Sequence, residues 1–164
     1  MRQAGFTLVE LIVVMAIMGI LFAIATLNWS SMQKKIAIEN ETKTVYADLM
    51  ATRLDALYTK RSRSVIVSGT HFSVYSSGVT SVNPVSQKTM RYPLKWNTPD
   101  ASLTLTFDAG GLSTAGADTP LCVDPENNLS VSNSGAVDSI VISAARIKIG
   151  KRGGACDATS IVQK

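Results

Sequence analysis

Two hydrophobic patterns follow one another along the first third of the chain. From Phe6 to Leu27 the residues are apolar almost without interruption, broken by the polar Thr7, Glu10 and Thr26. At a helical rise of about 1.5 Å per residue this run reaches roughly 33 Å, enough to cross a bilayer core of about 30 Å. The pattern then becomes periodic. Met32 and Ile36 are four apart, and Tyr46, Leu49, Met50, Leu54, Leu57 and Tyr58 recur at spacings of three and four. That spacing predicts one apolar helix face. Polar residues fill the other face, with cations Lys34, Lys35, Lys43 and Arg53 and anions Glu39, Glu41, Asp48 and Asp55. No Pro or Gly lies between Ile20 and Tyr58, so both segments read as one helix of about fifty residues.

From residue 59 the period changes to two. Short alternating or β-branched runs predict strands at Ser64–Val67, His71–Tyr75, Lys88–Leu94, Ser102–Phe107, Leu129–Ser132, Ser139–Ser143 and Arg146–Ile149. Turn signals separate them: Ser68-Gly69, Ser76-Ser77-Gly78, Asn83-Pro84, Thr98-Pro99-Asp100, Ala109-Gly110-Gly111, Asp124-Pro125 and Asn133-Ser134-Gly135. The expected class is α+β: a long N-terminal helix, hydrophobic and then amphipathic, packed on a small antiparallel, sandwich-like C-terminal head.

Composition adds bounds to this picture. The chain has 164 residues, 46% of them hydrophobic, and a formal net charge of +4, which fits one folded domain behind the apolar segment. Trp29 falls where membrane-interface aromatics are favoured, and Lys34 and Lys35 follow it. Arg2 and the chain's amine balance those lysines, so charge alone leaves the orientation open. The bulk of the chain and its cysteines favour the head on the exported side. Cys122 and Cys156 would pair by default in an oxidising compartment, stabilising the fold by about 4 kcal/mol in the chain-entropy model. Two buried free thiols are the alternative. Neither a CxxC motif nor a Cys/His cluster occurs, so no zinc is expected.

Glu10 stands out. A carboxylate within an apolar run costs about 2.5–3.5 kcal/mol on insertion scales, so it calls for a partner. Cleavage after Gly5 would supply one, because Phe6 would acquire an amino group four residues from Glu10, and a neighbouring copy could present that amine to it. The segment Gly5-Phe6-Thr7-Leu8-Val9-Glu10-Leu11-Ile12-Val13-Val14 resembles the processing motif of type IV prepilins and type II secretion pseudopilins. The resemblance implies cleavage between Gly5 and Phe6 by a prepilin peptidase, N-methylation of Phe6, and an assembly salt bridge between Glu10 and the Phe6 amine. It covers about twenty residues.

The short β-rich head behind the helix resembles, at the level of architecture, the GspH/FimT/FimU group of minor pilins and pseudopilins. What this implies is a leader at 1–5, a transmembrane or filament-core half-helix at 6–27, an amphipathic half-helix at 28–58 and a globular head at 59–164. The expected function is a minor subunit of a type IV pilus, priming or tip-associated. Its partners would be other pilin subunits, the prepilin peptidase and the inner-membrane assembly platform. It would start as a single-pass inner-membrane protein with a periplasmic head and pass to the filament or cell surface. A minor pseudopilin of a type II secretion system is the alternative in the same class. Many major pilins carry a proline near the end of the apolar run. This chain has Leu27 and Asn28 there, which leaves Gly19 as the local weak point. A secretory signal cut after Ala25 is a rival reading, but it accounts neither for Glu10 nor for the helical pattern beyond.

No catalytic pattern emerges. The single histidine, His71, falls in a predicted strand without a nucleophile, and GxSxG, GxGxxG and P-loop motifs are absent. The chain is read as a non-enzyme without cofactor. Asp118, Asp124, Glu126, Asn127 and Asn128 supply oxygen ligands of the type calcium takes, but not at EF-hand spacing, and read as turn residues. Arg146, Lys148, Lys151 and Arg152 form a basic cluster. Period two puts Arg146 and Lys148 on one face of a strand, with Lys151 and Arg152 expected in a glycine-flanked loop. Some FimT-like minor pilins are implicated in DNA uptake through a basic C-terminal segment, so the resemblance makes DNA a candidate partner for these four residues, joined by Lys60, Arg61 and Arg63 at the helix exit. The alternative is a solvated basic edge strand.

Overall fold

The computed structural model describes residues 6–96, 102–115, 118–126, 128, 133 and 135–163, with the side chains of residues 25–28 excepted. The leader with Arg2 and Gly5, the expected strand Leu129–Ser132, Asn127, the turn at Thr98-Pro99-Asp100 and part of that at Asn133-Ser134-Gly135 lie outside them. The chain divides into two compact units, Met1–Lys34 and Lys35–Lys164.

Helix α1 runs from Leu8 to Thr59. In the first unit its described side chains are exposed almost throughout, as far as Gln33, although this stretch holds the window of highest mean hydropathy, 2.8. Gly19 lies inside the helix with no heavy atom near the place of a Cβ. In the second unit α1 buries a stripe of Ile38, Thr42, Val45, Leu49, Thr52 and Ala56, spaced 4, 3, 4, 3 and 4 residues apart as one face of a helix requires. The two buried threonines satisfy their hydroxyls locally, Thr42 Oγ1 donating to Ile38 O at 2.8 Å and Thr52 Oγ1 to Asp48 O at 2.7 Å. This stripe differs from the expected one. Leu54 and Tyr58 are exposed, Tyr58 at 84%, because a face centred on Leu49 leaves positions 54 and 58 on the far side. Lys60, at φ 54°, takes the left-handed conformation that ends helices.

Among the described residues nine strands follow: β1 (Arg63–Ser68), β2 (His71–Tyr75), β3 (Ser86–Thr89), β4 (Leu94–Lys95), β5 (Leu103–Phe107), β6 (Thr119–Val123), β7 (Ser139–Ile142), β8 (Ile147–Arg152) and β9 (Ile161–Gln163). They form two sheets, ordered β3-β2-β1-β5 and β4-β6-β7-β8-β9, with every pairing antiparallel. The β1–β2 hairpin closes over Gly69 and Thr70, Gly69 taking φ +57°, and pairs Ser68 with His71. The expected strand Lys88–Leu94 is split. Its first residues belong to β3 in one sheet and its last to β4 in the other, with Pro93 breaking the run between them.

One main core joins helix and sheets. Ile38, Val45, Leu49 and Ala56 of α1 belong to it with Val65, Phe72, Leu105 and Phe107 of the first sheet and Leu94, Leu121, Val123, Ile140 and Ile142 of the second. The anionic side chains of this half-helix dock on the head. Glu39 Oε1 accepts the Ala136 N–H at 2.8 Å, Glu41 Oε1 the Tyr92 N–H at 3.1 Å, and Asp48 binds Lys88 Nζ at 2.7 Å. Asp55 pairs with Arg63, while Arg53 Nε donates to Gly111 O at 2.9 Å. Gly111 is required at that point: its φ is +71°, and a Cβ would lie 2.6 Å from Leu57 Cγ.

Candidate functional site: the apolar helix start and the C-terminal cations

The apolar segment offers one ionisable side chain, Glu10, in the first turn of α1. The turn is fixed by Thr7, whose Oγ1 accepts the Glu10 N–H at 3.3 Å and whose carbonyl accepts the Leu11 N–H at 3.2 Å. Thr7 is thus the N-cap, and Glu10, three residues on, sits where a carboxylate favours a helix start. The T-x-x-E spacing of Thr7 and Glu10 carries that signal. Around Glu10 the exposed residues are Phe6, Leu8, Val9, Leu11, Val13 and Val14. Such a surface must be covered by lipid or by other apolar helices, and a carboxylate in that medium gains most from a cation brought by the same neighbour. Phe6 is 83% exposed at the head of the segment, while Gly5 lies outside the described residues.

The four C-terminal cations, Arg146 just before β8 and the other three within it, divide into two pairs. Arg146 and Lys148 are exposed. Lys151 and Arg152 do not sit in a loop, as their glycine flank suggested, but end the strand itself. Arg152 is 1% exposed and pairs with Asp124 at 3.4 Å, its Nε lying 3.8 Å from Asp138 Oδ2. Lys151 Nζ binds Asp138 Oδ2 at 3.0 Å and donates to the Asn133 carbonyl. Asp138, fully buried, also accepts the Ser139 hydroxyl at 2.7 Å and the Arg152 N–H at 2.9 Å. Two buried carboxylates thus hold two cations that a phosphate backbone would need free. Arg63 is also engaged, bridging Asp55, Thr59 and the Ser76 carbonyl. The acidic partners lie 14 and 28 residues before Arg152, a separation at which charge spacing carries no signal.

Asp124 faces Arg152, and the Asp118 carboxylate accepts the Ser143 hydroxyl. Among the described residues no group of three or more His, Cys, Asp or Glu side chains is arranged to hold a metal ion. His71 is exposed at the start of β2. Cys122, in β6, and Cys156, after β8, are joined in a disulfide with a Cα–Cα distance of 6.1 Å.

Among the described residues two carboxylates outside the apolar segment have displaced affinities for protons. Burial raises Glu41 above the ordinary carboxylate range against the opposing Tyr92 and Arg91 N–H bonds. Asp157 is lowered by the hydroxyls of Thr159 and Ser160 and the Ser160 N–H.

The helix start and the fold each have known counterparts. Residues 1–26 match the family model described as the prokaryotic N-terminal methylation motif, and the long helix followed by antiparallel sheets is a type IV pilin fold. The particular likeness is to FimU, a type IV minor pilin of Pseudomonas aeruginosa. In one crystal form the match has 18% identity and a TM-score of 0.56, covering 72% of this chain and 91% of that one. In a second form it has 18% identity and a TM-score of 0.51, covering 67% and 90%. At that identity the likeness is one of fold. No curated protein matches this chain.

Proposed function

We propose that this chain is a minor pilin, cut by a prepilin peptidase between Gly5 and Phe6, N-methylated on Phe6 and assembled into a type IV pilus as a priming or tip-associated subunit. The observation that carries the reading is the methylation motif over residues 1–26 with Glu10 as the ionisable group in its apolar helix. In the inner membrane that helix is the anchor of a subunit whose head faces the periplasm. In the filament the same apolar surface packs against other subunits. There the Glu10 carboxylate receives the methylated amine of a neighbour's Phe6, which neutralises both charges and sets the stagger between copies. The head, with its carboxylate-docked half-helix, presents surfaces to adjacent subunits and performs no chemistry.

The test is Glu10→Ala expressed beside the parent chain. Membrane insertion and leader cleavage are expected to persist, while the amount recovered in sheared filaments falls by at least about tenfold, the effect of losing a paired charge in a low-dielectric core. Undiminished incorporation of the variant would count against the proposed pairing.

A further inference from the structure

The second sheet has two faces, and only one belongs to the main core. Pairing register puts Cys122, Ser139, Val141, Gly150, Arg152 and Ile161 on the other face. That face carries a separate cluster of Cys122, Val141, Cys156 and Ile161, with Ala158 packed against it. Two of its members, Cys156 and Ala158, come from residues 153–160, the connection between β8 and β9. We propose that this connection is a strap, closed over the outer face of the second sheet by the Cys122–Cys156 bond and released by its reduction, while the helix and the main core stand.

The strap's other holds are few and mostly internal. The Asp157 carboxylate takes the Thr159 hydroxyl at 2.6 Å and the Ser160 N–H at 2.7 Å, and its second oxygen takes the Ser160 hydroxyl at 2.8 Å. Those bonds shape the strap without fastening it to the sheet. Gly153 N–H to Ser160 O, 2.9 Å, closes its neck. The main core contains seventeen buried residues and includes none of the strap, whereas the outer cluster is four buried residues and an alanine. Beside them the strap face holds the Arg152–Asp124 ion pair, each partner 1% exposed. Hydrating an ion pair recovers solvation that burial removed, so opening this face costs far less than opening the core. The covalent bond is therefore the dominant hold.

The same geometry slows the switch. Cys122 is fully buried and Cys156 is 4% exposed, so an attacking thiolate reaches the sulfurs only when the residues around the intact bond part transiently. With a dithiol as reductant the exchange balances. One reagent thiolate attacks Cys156 Sγ, the S–S bond breaks, and Cys122 leaves as a thiolate and takes a proton. The second reagent thiol then displaces Cys156 as a thiol and closes the reagent's own disulfide.

Hydrogen exchange read by mass spectrometry on the full chain in detergent micelles tests this, with and without dithiothreitol, alongside the Cys122→Ser/Cys156→Ser variant, which removes the reagent from the question. The expected result, in reduced chain and variant alike, is exchange at least about tenfold faster in peptides spanning 153–163. Peptides from β1, β2, β5 and the buried half of α1 should be unchanged. Protection unaltered at 153–163 in the variant overturns the proposal, because the bond is then not what closes the strap. Protection lost throughout the head, or failure of the variant to fold, overturns it equally, because the bond then supports the main core.

Discussion

The two parts of α1 obey different rules. From Leu8 to Leu27 the helix is nearly all apolar, yet its described side chains are exposed. From Lys35 it carries Glu39, Glu41, Asp48 and Asp55, yet buries a stripe centred on Leu49 and sends each of those carboxylates to a partner in the head. Hydrophobic content therefore does not say what covers a helix. The apolar part lacks a cover within its own unit and needs lipid or other helices. The mixed part is covered by its own chain, and its charges serve as ties to backbone N–H groups and to cations.

Substitutions sharpen that contrast, and the largest effect belongs to the mixed part. Leu49→Ala is expected to lower the head's unfolding free energy by about 2–5 kcal/mol, the range for emptying a fully buried leucine site, measured by urea denaturation of the full chain in micelles.

Glu41 gives a smaller, pH-dependent effect. Its folded-state affinity for a proton is raised by burial, so its contribution to stability is full below the ordinary carboxylate range and is lost as pH rises through the displaced value. Urea midpoints taken from pH 7 downward should show the parent chain gaining stability relative to Glu41→Gln as Glu41 protonates. A pH-independent difference between the two would contradict the buried placement of that carboxylate. The smallest effect belongs to the apolar part: Leu21→Ala should change the head's stability by less than about 0.5 kcal/mol, as at an exposed position. A loss comparable to that of Leu49→Ala would break the contrast.

What could be read from the chain followed from local rules. The helix was legible because a run without Pro or Gly has no competing conformation, and β1, β2, β5 and β7 because alternation and turn residues agree there. The missed elements depend on distant parts of the chain. β6 contains Pro120, which argues against a strand, but β4 is only two residues long and pairs Leu94 and Lys95 with Val123 and Cys122. The missing N–H of Pro120 therefore meets no neighbour on that side. β9 is three residues at the edge of its sheet and exists by pairing with β8. The cations of the C-terminal cluster looked free because their carboxylate partners are fixed by sheet register rather than by sequence neighbourhood. At the helix start the position was reversed. Glu10 stands out because a charge in an apolar run is anomalous on any local rule, whereas its cap by Thr7 rests on a hydrogen bond that the structure shows.

The central claim is that the first five residues are removed and that Phe6 becomes the chemically modified end of an assembling helix. Mass spectrometry of the N-terminal peptide of the chain purified from membranes tests it most directly. The account predicts a peptide that begins at Phe6 and carries one methyl group on its amine. A peptide that retains Met1–Gly5, or a chain that begins at Thr26, would contradict it.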